Sequence, residues 1–163
     1  MIQRLAIYPG SFDPVTKGHL DIVVRTSKLA NHVIVAIGKA HDKRLLFSLE
    51  ERVALLTSEI EGLKLPSVSV AAYDGLLVDY ARTVGASILV RGLRTIADFE
   101  REKTMSALNH ALDPTLETIF LPASEDTRLI SSSAVKELVR YGKTLGFVSD
   151  AVAQALFKKL EVG

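Results

Sequence analysis

Five short apolar runs alternate along the chain with longer segments in which apolar residues recur at helical spacing. The runs predict strands at residues 5–8, 33–37, 68–72, 88–90 and 117–121. The other segments predict helices at about residues 16–31, 49–61, 76–84, 96–112, 131–141 and 149–160. Strands that are apolar on both faces are typical of a parallel sheet between helices. The alternation therefore predicts an α/β fold: a Rossmann-like, doubly wound parallel five-stranded sheet with helices on both faces.

Local signals support several of these boundaries. Ser48 and Glu51 have the spacing of a capping box at the start of the second helix, and Gly85 ends the third. The fourth helix, over residues 96–112, is charged in its first turns and is expected to have one apolar face. No repeat, low-complexity segment or linker interrupts the chain. We therefore expect a single domain over residues 1–163.

Composition narrows the classes of function that the protein can have. The 163 residues are 48% hydrophobic, and 20 Lys and Arg stand against 19 Asp and Glu, for a net charge of +1. This balance gives no general attraction to nucleic acid or to a membrane, so any anion site must be local. The chain has no cysteine, which excludes disulfides and thiolate catalysis. With no visible signal peptide and no apolar run of about 18 residues, we expect a cytoplasmic protein.

Residues 8–19 form a glycine-containing turn between the first strand and the first helix. Gly10 and Gly18 permit unusual backbone angles or a close approach of the backbone to a ligand. Thr16 and His19 are three residues apart, so a helix that begins near Thr16 places both on one face at its positive end. That arrangement suits a phosphate clamp. A histidine that only caps or packs is an alternative of equal weight.

Other groups that bind phosphate follow the later strands. A basic loop, residues 39–44, comes after the second strand, and Arg91 and Arg94 flank Gly92 after the fourth. Guanidinium groups match phosphate geometry, and the carboxyl ends of parallel strands share one edge of the sheet. Three serines, residues 131–133, supply hydroxyls and N–H groups at a helix start. The alternatives are solvation for the loop and the arginines, and helix capping for the serines.

Four segments, residues 8–19, 47–52, 91–100 and 130–136, carry a family resemblance. They resemble the nucleotidyltransferase superfamily with the Thr/His-x-Gly-His motif, and in full form the bacterial phosphopantetheine adenylyltransferase family. The resemblance implies transfer of the adenylyl group of ATP to 4′-phosphopantetheine, which gives dephospho-CoA and pyrophosphate in coenzyme A biosynthesis. The alternatives are a superfamily member that uses another phosphate acceptor, such as nicotinamide mononucleotide, and a non-catalytic nucleotide-binding sensor.

The resemblance also implies roles for individual residues. His19 would stabilise the transition state, and Lys43 and Arg91 would be further catalytic groups. The phosphopantetheine contacts would be Ser11, Lys43, Leu77 and Arg91. The ATP contacts would be Ser11, Phe12, His19, Gly92, Leu93, Arg94, Glu102, Thr127, Arg128, Leu129, Ile130, Ser131, Ser132 and Ser133. Residues 127–129 depart from the family pattern of an aromatic residue followed by Ser-Phe, so we expect Thr127 and backbone groups to hold the adenine.

The remaining expectations concern metals and partners. The resemblance implies Mg²⁺ bound mainly through the ATP phosphates, and a homohexamer. No two of His32, His41 and His110 have metal-ligand spacing, so we expect no metal site made by protein side chains. Asp21 and Asp98 are expected to be solvated or ion-paired. The partners are therefore the small molecules ATP and 4′-phosphopantetheine and further copies of the chain, without nucleic acid or membrane.

Overall fold

The computed structural model describes residues 4–39 and 45–160, in which the predicted elements follow one another in the predicted order. The strands are β1 (Leu5–Gly10), β2 (His32–Gly38), β3 (Val68–Tyr73), β4 (Ile88–Leu93) and β5 (Glu117–Pro122). The helices are α1 (Lys17–Thr26), α2 (Leu49–Gly62), α3 (Leu77–Val84), α4 (Ile96–Leu112), α5 (Ser132–Arg140) and α6 (Asp150–Leu160). No helix in these two ranges has the length and apolar character that crossing a membrane requires.

The five strands form one parallel sheet in the order β3-β2-β1-β4-β5. The chain adds β2 and β3 on one side of β1, and then crosses over to add β4 and β5 on the other. This change of direction opens a crevice beyond the carboxyl ends of β1 and β4, where ligands bind in sheets of this kind. The predicted doubly wound, Rossmann-like α/β fold is confirmed.

Apolar side chains cover both faces of the sheet. On one face, Tyr8, Val35 and Val90 belong to a buried cluster that also contains side chains of α1, α2, α5 and α6. On the other face, Ile7 and Ile34 pack with side chains of α3. Neighbouring residues of β1, such as Ile7 and Tyr8, thus point to opposite sides of the sheet. Tyr8 is the one that points toward α1 and the loop before it.

Helix α1 ends at Thr26, earlier than the predicted end near residues 30–31. The backbone N–H groups of Lys28 and Leu29 donate to carbonyls three residues back, which is the pattern of tight turns and not of an α-helix. The hydroxyl of Ser27 also donates to the carbonyl of Val24, a side-chain bond that competes with helix continuation. The apolar pattern continues past the point where these local bonds end the helix.

Helix α4 spans the predicted residues but does not bury an apolar face. The one buried residue of this fully described helix is Glu102. Met105, Leu108 and Leu112 are each about half exposed, and Ile96 is 81% exposed. The apolar side chains that the pattern identifies are present, but they stay uncovered in a single chain.

Candidate active site

The loop between β1 and α1, here called the first loop, is held in place through Asp13. Its buried carboxylate accepts hydrogen bonds from the backbone N–H groups of Leu46 and Phe47, each at 2.9 Å. The ammonium of Lys136 on α5 lies 2.9 Å from the same carboxylate. Burial alone would raise the pKa of Asp13, but these hydrogen bonds and the charge of Lys136 lower it below its usual value. The loop is thus fastened to the segment before α2 and to α5.

Two buried residues, Phe12 and Arg52, shape the same loop. Phe12 has a φ of 47°, and its ring meets that of Tyr8 edge-on with centroids 5.5 Å apart. Arg52 on α2 donates from Nη1 to the carbonyl of Ser11 at 2.9 Å. Its Nε is buried and has no hydrogen-bond partner among the described residues. Arg52 therefore holds the Ser11 backbone and places a positive charge behind the loop, a role that the sequence pattern did not reveal.

His19 completes the N-terminal cap of α1. The backbone N–H of Thr16 donates to Nδ1 of His19 at 3.0 Å, and the backbone N–H of His19 donates to Oγ1 of Thr16 at 3.4 Å. Because Nδ1 accepts from a backbone N–H, a neutral His19 carries its proton on Nε2. Burial, helped by the positive charge of Arg94, lowers the pKa of His19 to about 4. His19 is therefore a neutral hydrogen-bond donor at pH 7.

The two interpretations of the Thr16 and His19 pair are compatible. The cap uses Nδ1, which leaves the Nε2 proton for a ligand in the pocket that His19 lines. The ring is further held by Phe12, whose centroid lies 4.9 Å away in an edge-on contact. Capping thus orients the imidazole and does not remove it from the site.

A pocket opens beside His19, in the crevice between β1 and β4. Gly92, at the end of β4, forms part of its wall. A Cβ on Gly92 would lie 3.1 Å from Cγ1 of Ile22 and 3.6 Å from the hydroxyl of Tyr8, so glycine keeps this wall open. The lining comes from β1, α1, β4 and the segment between β5 and α5: Tyr8, Thr16, Gly18, His19, Ile22, Gly92, Leu93, Arg94, Ala123, Thr127 and Ile130.

Arg94 supplies positive charge to this pocket. It donates from Nη1 to the carbonyl of Ile130 at 3.2 Å. Asp98 accepts from the backbone N–H of Arg94 at 3.2 Å and lies 3.5 Å from its Nε. The Arg94 side chain remains 37% exposed, so an anion in the pocket can reach its other N–H groups.

Arg91, on β4, is not among the residues that line this pocket. Its Nε and Nη2 donate to the two carboxylate oxygens of Glu102 at 2.6 and 2.7 Å, and Nη1 donates to the carbonyl of Pro9 at 2.9 Å. Burial alone would lower the pKa of Arg91, but the hydrogen bonds and charge of Glu102 outweigh it and raise the pKa. Arg91 and Glu102 form a bidentate ion pair.

The segment that departs from the family pattern, residues 127–129, reaches the pocket only through its first residue. Thr127 and Ile130 line the pocket, and Oγ1 of Thr127 lies 2.8 Å from the hydroxyl of Ser124. Arg128 and Leu129 are exposed, Leu129 to 73%, and neither lines the pocket. Of the three departing residues, Thr127 is therefore the one placed to contact a ligand there.

The three serines take different positions at the start of α5. Ser131 is the N-cap, and its hydroxyl accepts from the backbone N–H of Ala134 at 3.0 Å. The hydroxyl of Ser132 donates to the carbonyl of Pro14 at 2.8 Å, which links α5 to the first loop. Ser133 is exposed. Helix capping, one of the two interpretations of the serines, is thus present at Ser131.

Two other predicted contacts, Ser11 and Leu77, do not line the pocket. Ser11 is partly buried in the first loop, and Leu77 is the first residue of α3, where it packs against the second cluster. Lys43 and His41 lie outside the described residues. Of the basic loop, Lys39 is described and residues 40–44 are not. Ser11 and Leu77 lie at the same edge of the sheet as Arg91.

His32 and Asp21 have side-chain partners within the protein. Nε2 of His32 lies 2.8 Å from the hydroxyl of Ser69, and Asp21 pairs with Arg25 at 3.2 Å. His110 is exposed in the last turn of α4. Across residues 4–39 and 45–160, no group of three or more His, Asp or Glu side chains could hold a metal ion.

Comparison with known proteins places the chain in a family. A profile described as cytidylyltransferase-like matches residues 7–138, which contain every residue that lines the pocket. The chain belongs to the cytidylyltransferase-like family. The resemblance to nucleotidyltransferases in four sequence segments is confirmed.

Several relatives within this family match along almost their whole length. The phosphopantetheine adenylyltransferase of Caldanaerobacter subterraneus is 47% identical, over 97% of this chain and 98% of the relative. The enzyme of the same name from Wolbachia (subsp. Brugia malayi) is 44% identical, over 98% and 96%. That of Lachnoclostridium phytofermentans is 42% identical, over 96% and 95%.

Solved structures of distant sequence share the cytidylyltransferase-like fold. Plasmodium falciparum nicotinic acid mononucleotide adenylyltransferase, complexed with NaAD, aligns with a TM-score of 0.71 at 16% identity, over 99% of this chain and 97% of its own. A bifunctional NMN adenylyltransferase/ADP ribose pyrophosphatase from Francisella tularensis gives 0.69 at 16%, over 99% and 51%. At these identities the likeness concerns the fold alone.

Proposed function

We propose that this chain transfers the adenylyl group of ATP to 4′-phosphopantetheine, giving dephospho-CoA and pyrophosphate in coenzyme A biosynthesis. The observation that carries the proposal is the identity of 42–47%, over nearly the whole chain, with three phosphopantetheine adenylyltransferases. The pocket supports adenylyl transfer, because a neutral imidazole donor and a guanidinium lie together in it. The lack of cysteine suits a reducing compartment, and we propose the cytoplasm.

The reaction depends more on alignment of the two substrates than on transfer of a proton. A phosphate oxygen of 4′-phosphopantetheine attacks the α-phosphorus of ATP, and the bond from that phosphorus to the oxygen bridging to the β-phosphate breaks. The bond electrons leave with pyrophosphate. Because the nucleophile is already an oxyanion, the enzyme needs no strong base. It has to align the two phosphates and stabilise negative charge that grows on the α-phosphate and on pyrophosphate.

His19 is placed for this stabilisation. With Nδ1 held by the Thr16 backbone, the Nε2 proton is available to a non-bridging oxygen of the α-phosphate. Arg94 and the positive end of α1 add to the field in the same pocket. His19 acts as a donor in this mechanism, and neither as a nucleophile nor as a base.

The two substrates are proposed to meet over the carboxyl ends of β1 and β4. ATP would lie in the pocket beside His19, Gly92 and Arg94, with its adenine near Thr127. 4′-Phosphopantetheine would lie on the neighbouring side, toward Ser11, Leu77 and Arg91, with Lys43 added from the family resemblance. Strands β1 and β4 are paired, and Arg91 on β4 donates to the carbonyl of Pro9 on β1, which supports binding of the two phosphates next to each other.

Mg²⁺ is proposed to arrive with ATP. The described residues supply no cluster of three or more metal-ligating side chains, and both carboxylate oxygens of Glu102 are bonded to Arg91. The ion would therefore be held by the ATP phosphates and water, as Mg²⁺ often is. When bound, Mg²⁺ would neutralise part of the negative charge of the phosphates.

A panel of acceptors tests the substrate. Purified protein is incubated with ATP and either 4′-phosphopantetheine or nicotinamide mononucleotide, and pyrophosphate release is measured. We expect a much larger kcat/KM with 4′-phosphopantetheine. An equal or larger value with nicotinamide mononucleotide would identify the alternative acceptor, and no release with either would support the non-catalytic sensor.

The proposal that copies of the chain associate rests on helix α4 and not on the pocket. Helix α4 exposes Ile96, Met105, Leu108 and Leu112 in a single chain, and an exposed apolar surface of this kind is typical of a protein contact. The number six comes from the family resemblance. Light scattering at micromolar concentration is expected to give the mass of a hexamer, and the mass of one chain would exclude the proposal.

A further inference from the structure

Glu102 is buried on a helix that buries nothing else. An isolated carboxylate is costly to remove from water, so a buried one needs a partner. The family resemblance assigns Glu102 to ATP, but Glu102 is not among the residues that line the pocket beside His19. Its burial is therefore not explained by a place in the nucleotide pocket.

The contacts of Glu102 lead to Arg91 instead. One carboxylate oxygen accepts from Nε of Arg91 at 2.6 Å and the other from Nη2 at 2.7 Å. This is the two-bond fork in which both planar groups fix each other's orientation. The carbonyl of Pro9, on β1, accepts from Nη1 at 2.9 Å and completes the hold on the guanidinium. Arg91 is thus clamped between α4 and the strand that precedes the first loop.

We infer that Glu102 is a positioning residue, which aims the Arg91 guanidinium at the phosphate of the acceptor and does not bind the nucleotide. The inference rests on the proposed function, since it takes 4′-phosphopantetheine as the acceptor. Of the five N–H donors of a guanidinium, three are used by Glu102 and Pro9. One donor remains on each terminal nitrogen, and the fork to Glu102 sets the direction of both.

The ion pair with Glu102 gives Arg91 a different role from that of Arg94. Glu102 cancels most of the positive charge of Arg91 at short range, so Arg91 contributes directed hydrogen bonds more than attraction for an anion. Arg94 has a longer contact to Asp98, at 3.5 Å, and keeps more of its charge for the pocket. A lysine at position 91 would then be a poor replacement, because an ammonium cannot make the fork.

The inference is tested by a double-mutant cycle on steady-state kinetics. The proteins are wild type, Glu102→Gln, Arg91→Lys and the double variant, with Glu100→Gln as the matched control, because Glu100 is exposed two residues away on α4. For Glu102→Gln we expect the KM for 4′-phosphopantetheine to rise about tenfold, with the KM for ATP within about twofold of wild type. In the Arg91→Lys background the same substitution is expected to add little.

Two results would overturn the inference. A rise in the KM for ATP alone would make Glu102 a nucleotide contact, and full additivity of the two substitutions would show that Glu102 acts independently of Arg91. Failure of the proposed function is distinguishable, because it is the absence of pyrophosphate release by the wild-type protein with 4′-phosphopantetheine.

A measurement on the wild-type protein does not depend on the variants folding. The Nε–H signal of Arg91 is followed by ¹H–¹⁵N NMR while α,β-methylene-ATP or 4′-phosphopantetheine is added. We expect slow solvent exchange of this proton to persist with the ATP analogue, because the bond to Glu102 stays intact. Loss of that protection on adding the analogue would show that Glu102 turns to the nucleotide, and would refute the inference.

Discussion

The imidazole of His19 is expected to stay neutral in the folded protein down to about pH 4. Burial is the larger cause, and the nearby charge of Arg94 adds to it. In the unfolded chain a histidine titrates near pH 6.5. At about 1.4 kcal/mol for each pH unit, the gap between 6.5 and about 4 corresponds to roughly 3–4 kcal/mol of unfolding free energy.

The direction of the effect follows from which state binds the proton. Well above pH 6.5 His19 is neutral in both states and adds no pH dependence. Between pH 6.5 and about 4 the unfolded state binds a proton that the folded state does not, so the unfolding free energy falls as the pH falls. Asp13 has a pKa lowered below its usual value, so its contribution is lost mainly at more acidic pH than that of His19.

Two assays check this prediction. In ¹⁵N-labelled protein, NMR of the His19 ring is expected to show a proton on Nε2, an unprotonated Nδ1 and a midpoint near pH 4. Urea unfolding of wild type, at fixed protein concentration, is expected to lose stability from pH 6.5 to 4.5. His19→Asn removes most of that slope, whereas His110→Asn, at an exposed position of α4, retains it. A proton on Nδ1 at pH 7 would refute the tautomer, and a midpoint above pH 6 would refute the lowered pKa of His19.

Three further substitutions test other parts of the site. His19→Ala is expected to lower kcat by about 10²–10³, with a much smaller change in the KM for ATP; a near-normal kcat in the pyrophosphate assay would exclude a transition-state donor. Asp13→Asn should lower the unfolding free energy by roughly 1.5–3 kcal/mol, because Lys136 loses its charged partner; an unchanged urea midpoint would contradict this. Leu108→Asp on α4 should dissociate the proposed assembly; an unchanged mass in light scattering would place the contact elsewhere.

Much of the fold could be predicted because the periodicity of apolar residues is a local property. The capping box of Ser48 and Glu51 is present with both of its hydrogen bonds. Helix α4 has the predicted bounds, Ile96–Leu112. The end of α1 could not be predicted, because a side-chain bond from Ser27 and two tight turns end the helix inside an apolar pattern that continues.

The candidate site was predictable in position but not in its internal contacts. The glycine-containing turn, His19 and Arg94 lie in the crevice beyond β1 and β4, where the strand order of the sheet changes direction. The bond from Arg52 to the Ser11 carbonyl joins residues 41 positions apart, and no periodicity encodes it. The pair of hydrogen bonds between Arg91 and Glu102 likewise depends on how α4 packs against β4, and residue spacing along the chain does not predict that packing.

Helix α4 connects the outside of the molecule to one of the residues proposed to bind substrate. Its outer side chains, among them Leu108 and Leu112, are exposed in a single chain and are proposed to contact another copy, while Glu102 on the same helix holds Arg91. A small compound that displaced this contact and tilted α4 would therefore loosen Arg91 without entering either substrate site. Inhibition of that type would not be overcome by raising the concentration of ATP, which makes α4 a target for screening distinct from the nucleotide pocket.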